Sequence, residues 1–462
     1  WTAALRRVAP GPLAIAMVLN LHAAPDALAA VSQPGSADTG LPEQSQGLVD
    51  QVVAHLRKQD YERAIPAAQK LVQSNPDNPS SHNLLGLAYQ GKRDIANARA
   101  AFEKAIGLKT DFVPALMNLA QLEQGAGAID AARSRYTAVL GSEPKNILAM
   151  IGLARLEFAH KQPDAGFKWL ERAKAANPQA LAPRLLLATQ LLQTGNSLKA
   201  LAEMTEAHRS RPNDPEVLEL LGQTQLATGR FADAATTYKR LIALRPQSPT
   251  GPYRLATAQI GLGELTPARD NLKKALQIQP GHVDALRTLS GLELQAGRFD
   301  EALKSARQIQ TLQPKAPVGF LLEGDILSVR KLPAQALPVY EKAVALGAAG
   351  AGIIKVHATQ LAAGVPKAQA DAQLQAWLQS NPKDFRVLRY QASEFMRAGM
   401  APQAIERFEK VVESEPRDGI ALNNLAGLYH RQKDPRAIDL AERAYSAMPE
   451  SAAAADTLGW IS

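Results

Sequence analysis

Cysteine is absent from all 462 residues, so this chain offers no disulfide framework, zinc ribbon, iron–sulfur cluster or thiol nucleophile. Aromatic residues make up only 5%, and no apolar run reaches the roughly 18 residues that a membrane-crossing helix needs. Runs of five like charges are also missing. The 52 Lys plus Arg and 44 Asp plus Glu are interleaved to a net charge of +8, which argues against a dedicated nucleic-acid surface. The glycine-rich stretch 347–352 (GAAGAG) is not followed by the Gly-Lys-Ser/Thr that would grip phosphates. The eight histidines stand apart with no metal-ligand spacing, and no Gly-x-Ser-x-Gly elbow occurs. No catalytic residue, cofactor site or metal site is therefore expected. What remains, 46% hydrophobic and 21% charged along the whole length, is the composition of a folded chain.

What is present is periodic. Proline stands at 76, 144, 178, 212, 246, 280, 314, 382 and 416, each a multiple of 34 residues from the first. In the same register an alanine column runs from Ala64, Ala98 and Ala132 through Ala200 to Ala404, with Gly166 in its one gap. A second small-residue column runs from Gly86, Ala120 and Ala154 to Ala426, and seven leucines precede it: Leu85, Leu119, Leu153, Leu187, Leu221, Leu255 and Leu289. Such columns require two helices per unit, so close that only Gly, Ala or Ser fits where their backbones meet. In residues 215–248, Pro215 opens the first helix, Leu218, Leu221, Gly222 and Leu226 form its inner face, and Gly229 ends it. The second helix places Ala234, Tyr238 and Leu241 inward, and Pro246 stops it. The separating glycine recurs at 127, 195, 229, 263, 297 and 399, where a left-handed residue is favoured. The pattern weakens over 317–384: Glu323, His357 and Gln391 break the leucine column, Ala348 replaces proline, and Pro338 falls inside a second helix, so a kink or irregularity is expected there.

A 34-residue helix-turn-helix unit with Leu-small early, Ala-x3-aromatic later and a closing proline resembles the tetratricopeptide repeat, TPR. The resemblance implies an all-α, right-handed α-solenoid of about twelve units over 45–451, with a truncated thirteenth over 452–462. It also implies a binding groove lined by the first helix of each unit. The fifth position of those helices reads Asn83, Met117, Ile151, Leu185, Glu219, Tyr253, Arg287, Leu321, Lys355, Arg389 and Asn423. The family's lysine and asparagine clamp for chaperone tails is not found. Toward the C-terminal end the candidate partner groove comprises Lys355, Arg386, Arg389, Tyr390, Arg397, Asn423, Asn424 and Arg431, a lining that would attract an acidic peptide or an anionic polysaccharide.

The ends carry further expectations. Arg6 and Arg7, the apolar stretch Leu13 to Leu21 and Ala27-Leu28-Ala29 have the layout of a secretion signal over 1–30, and 31–44 reads as a disordered linker. The sequence begins with Trp1 and stops inside a repeat, with Leu458 and Trp460 uncovered, so the natural protein is expected to continue. The runs Leu422-Asn423-Asn424-Leu425-Ala426, Asp434-Pro435-Arg436-Ala437 and Ala455 to Ile461 (ADTLGWI) make the chain similar to bacterial TPR proteins of the PEP-CTERM/exosortase exopolysaccharide type. That resemblance implies an exported, non-catalytic scaffold of the periplasm or cell envelope. It would bind protein partners in an exopolysaccharide or protein-sorting assembly. The alternative is the periplasmic arm of a longer polysaccharide-export porin or enzyme.

Overall fold

Local chemistry sets where each helix starts and stops. Asn78 accepts from the Ser80 amide at 2.8 Å ahead of Pro79, and Asp214 accepts from the Glu216 and Val217 amides at 2.9 and 3.2 Å ahead of Pro215. In both cases a short polar side chain satisfies amides that the first helical turn leaves free, and proline supplies a helical φ. The computed structural model describes residues 43–462. The secretion-signal segment 1–30 lies outside the described residues, as does the linker up to residue 42; Glu43–Ser45 forms a 3-10 turn. Among the described residues are 25 α-helices and no strand, from Gln46–Arg57 to Ala452–Ile461. The fold is an all-α TPR-like solenoid.

The chain divides into two compact units, one reaching Pro246 and including Gly261–Gly263, the other comprising Gln247–Ile260 and Glu264 onward. Within each unit, helices pack against their sequence neighbours, and first helices of successive repeats also touch, as Pro79–Gly91 touches Val113–Gly125 and Ala349–Ala362 touches Phe385–Arg397. One face of each unit is thus built from first helices alone.

The core is matched by volume across the repeat. Where the small-residue column carries glycine, the second helix sends in an aromatic ring: Gly86 faces Phe102, Gly222 faces Tyr238 and Gly324 faces Tyr340, with ring atoms closer than 3.0 Å to where a Cβ would stand. Where the column carries alanine, the corresponding side chain is mostly aliphatic. Ala154 and Ala188 share a cluster with Leu170 and Met204, and Ala256 lies with Leu272. Tyr136 follows Ala120 instead, and its ring is accommodated by Gly152 of the next repeat.

The residue joining the two helices is left-handed in almost every repeat. Glycine fills it at 127, 195, 229, 263, 297 and 399, whereas Gln59, Arg93, Lys161, Lys331 and Lys433 adopt φ between 57° and 64°. A side chain there costs about 1–2 kcal/mol relative to the right-handed region. Lys331 is exposed, so Lys331→Gly should stabilise the fold by about 0.5–1 kcal/mol, after glycine's greater unfolded-state entropy is deducted. Denaturant titration of the two proteins checks this; an unmoved or lowered midpoint would refute it.

The helix Pro333–Ala345 continues through Pro338. Pro338 is its sixth residue, so the ring removes a single ladder bond near the start of the helix. The irregularity of this stretch falls after that helix, where the closing proline is missing: Gly347 has φ 91° and the non-glycine Ala349 has φ 50°.

Candidate functional site

The eight candidate groove residues lie on three successive first helices of the second unit: Ala349–Ala362, Phe385–Arg397 and Gly419–Arg431. The fifth-position cations prove to be engaged within the chain. Lys355 pairs with Asp325 of the preceding first helix and sits 5.5 Å from the Tyr340 ring centroid. Tyr340 donates its hydroxyl to the same carboxylate at 2.6 Å, and burial together with Asp325 holds that phenol well above its ordinary range, so it stays a donor. Arg389 reaches the buried side chain of Asp418 at 2.6 Å. Asp418 in turn caps the helix Gly419–Arg431 by accepting from the Ala421 amide at 3.0 Å. Arg389 therefore helps to fix the junction between two repeats, and reversing its charge would disturb that junction as well as any partner.

The remaining positions divide. Arg397 pairs with Glu394 one turn earlier and keeps 65% of its side chain exposed. Arg386 is exposed beside the Phe385 ring at 5.8 Å, and Arg431 is exposed on the next first helix. Asn424 is half-buried, and the Asn423 amide oxygen is buried without a hydrogen-bond partner. The cations that the face offers to solvent are thus Arg386, Arg397 and Arg431.

Tyr390 belongs to an arrangement that the sequence did not disclose. Its hydroxyl lies 2.8 Å from Nδ1 of the buried His357, whose Nε2 lies 2.9 Å from Asp371. Asp371 also accepts from Lys367 at 2.9 Å through both oxygens. Burial pushes Tyr390 up to about 12, with Glu394 adding to the shift, so the phenol donates and the imidazole accepts at Nδ1. Burial works to raise Asp371, but Lys367 and His357 outweigh it and hold the carboxyl below the usual carboxylate range. The chain joins two helices of one repeat to the first helix of the next. In the first unit, Asn118 Nδ2 donates to Asn83 Oδ1 at 2.9 Å, again across neighbouring first helices. A signal for such ties exists in the sequence. Asp325 and Lys355 are 30 residues apart, and Arg389 and Asp418 are 29 apart, so opposite charges recur at slightly less than one repeat.

A face of stacked first helices bearing a different side-chain set in each repeat is the signature of a helical repeat array. Two family models, both described as tetratricopeptide repeat, match it: one over 49–111, 185–249 and 389–455, the other over 124–191 and 259–319. The chain belongs to the tetratricopeptide-repeat family. TPR proteins are generally non-catalytic scaffolds, and the repeats of this chain imply a protein–protein interaction scaffold. Among solved TPR structures it is similar to yeast Tom70 at 16% identity, over 91% of this chain and 96% of that one, with a TM-score of 0.43. It is also similar to a tetratricopeptide repeat protein from Parabacteroides merdae at 16% identity, over 54% and 99%, with a TM-score of 0.40. The Cut9–Hcn1 hetero-tetramer of the APC/C is similar at 14% identity, over 92% and 97%, with a TM-score of 0.35. No curated protein matches the chain. Among the described residues, no TPR helix is long and apolar enough to cross a membrane, and no group of His, Asp and Glu is placed to hold a metal ion.

Proposed function

We propose that this protein works without catalysis as an exported scaffold of the bacterial periplasm or cell envelope, holding partner proteins on its first-helix face within an exopolysaccharide synthesis, export or protein-sorting assembly. The observation that carries the scaffold reading is the contrast between a constant framework and a varying face. Small residues and leucines repeat at the helix contacts, while the fifth position passes from Asn83 and Met117 to Tyr253, Lys355 and Asn423. Variation of that kind suits recognition of an extended partner. The signal-like segment Arg6 to Ala29 supports export. Exposed Arg386, Arg397 and Arg431 support an acidic peptide, or an anionic polysaccharide, as the ligand of the C-terminal repeats.

Affinity capture from envelope extract with the full chain, read by mass spectrometry, tests this reading. Polysaccharide-synthesis, export or sorting proteins should be retained, and Arg386→Glu with Arg431→Glu should reduce their recovery at least tenfold with helical content unchanged. Direct retention of a sugar polymer with no protein would overturn the protein-scaffold reading, and undiminished capture by the double variant would overturn the site.

A further inference from the structure

Three consecutive repeats depart from the leucine column, and each places a buried polar side chain at the contact between helices. Glu323, His357 and Gln391 are 8%, 1% and 6% exposed. Each is bonded across an element boundary. Glu323 accepts from Arg307 at 2.8 Å and Gln310 at 2.7 Å, both on the second helix of the preceding repeat. His357 bonds Asp371 on its own second helix and Tyr390 on the next first helix. Gln391 accepts from Arg407 at 2.8 Å and contacts Gln375 of the preceding repeat at 3.5 Å. Gln360 extends the line, donating to Gln373 at 2.6 Å while its amide oxygen is buried without a partner. The residue that joins the first two of these repeats, Ala349, is held left-handed at φ 50°, and the closing proline that stiffens other junctions is replaced by Ala348.

The energetics of separation differ between such a seam and its neighbours. Opening a leucine contact returns its apolar surface to water, at a cost proportional to the area exposed. Opening a polar contact exchanges protein hydrogen bonds for water hydrogen bonds, at a smaller net cost, and it resolvates Glu323. Repeats stack through nearest-neighbour contacts alone, so one weak contact can part while those on either side stay closed.

We propose that residues 317–418 form a hinge built into the second unit: the contacts lined by Glu323, His357 and Gln391 open as a group while the repeats before and after remain folded. The proposal rests on the packing and not on the identity of any partner.

Native-state hydrogen exchange of the full chain, followed by mass spectrometry, tests it. Amides of Val318–Val329, Ala349–Ala362 and Phe385–Arg397 should exchange at least tenfold faster than those of Val283–Gln295 and Gly419–Arg431, whose corresponding residues are Leu289 and Leu425. His357→Leu should slow exchange of Ala349–Ala362 severalfold, because Asp371 and Tyr390 reach solvent and neither is stranded by the loss of the imidazole. Gln391→Leu is the second variant, with the same expectation for Phe385–Arg397. Even protection across the five wild-type helices would overturn the hinge, and this comparison decides alone if neither variant folds. A folded leucine variant whose exchange is unchanged or faster would overturn the assignment to the polar column.

Discussion

Phe408→Ala should lower stability by about 3–5 kcal/mol, the cost of deleting a fully buried ring from a core that cannot collapse around the void. Phe408 is 0% exposed and sits in a cluster with Leu388, Ala392, Ala404, Val411, Leu422 and Leu425, contributed by helices of two successive repeats. Each contact in a repeat array belongs to one unit or to a pair of neighbours, so the loss should be felt first by the repeats from 385 onward and only weakly farther back. Denaturant unfolding followed by helical signal should therefore show an early transition whose amplitude corresponds to the C-terminal repeats. A single transition with an unshifted midpoint would mean that the neighbouring side chains refill the site, contrary to the burial seen here.

The second large effect comes from adding volume. A methyl group on Gly222 would meet ring atoms of Tyr238 at less than 3.0 Å, and that ring is itself completely buried. Gly222→Ala should therefore cost about 2–3 kcal/mol, although alanine is the better helix former in isolation. The structure also names the compensation. Elsewhere in the chain the same pair of positions is filled by Ala256 and Leu272, or by Ala188 and Met204. Tyr238→Leu made together with Gly222→Ala should recover most of the loss, with a coupling of about 1–3 kcal/mol between the two sites. Chemical denaturation of the two single variants and the double variant closes the cycle. Additive losses would show that glycine is there for another reason than the ring.

How much of this was legible beforehand depends on the length scale. The proline clock, the small-residue columns and the separating glycines reveal paired helices and a solenoid because each reports a constraint acting within a few residues: a fixed φ, a missing Cβ, a left-handed turn. Gly222 and Tyr238 could be assigned to facing helices on periodicity alone, and so could Leu218 and Leu241. The charge state of the candidate groove was not legible in the same way. Lys355 and Arg389 stand at face positions in the sequence, but nothing local shows that Asp325 and Asp418 reach them across repeat junctions. Glu323, His357 and Gln391 read as defects in a leucine column; their partners Arg307, Asp371, Tyr390 and Arg407 came into view only with the packing.

The sequence by itself determined the repeat length, the two-helix unit, the residue at each helix end and which first-helix positions share a face, because helix periodicity and backbone sterics are written into every 34 residues. The tertiary structure alone decided which ring fills which glycine notch, which cations remain open to solvent and what the buried polar side chains of the leucine column are bonded to. Those outcomes depend on distances between side chains of helices that meet only when the repeats stack, and the direction in which a long side chain reaches across that contact is set by the stack rather than by its neighbours in the chain.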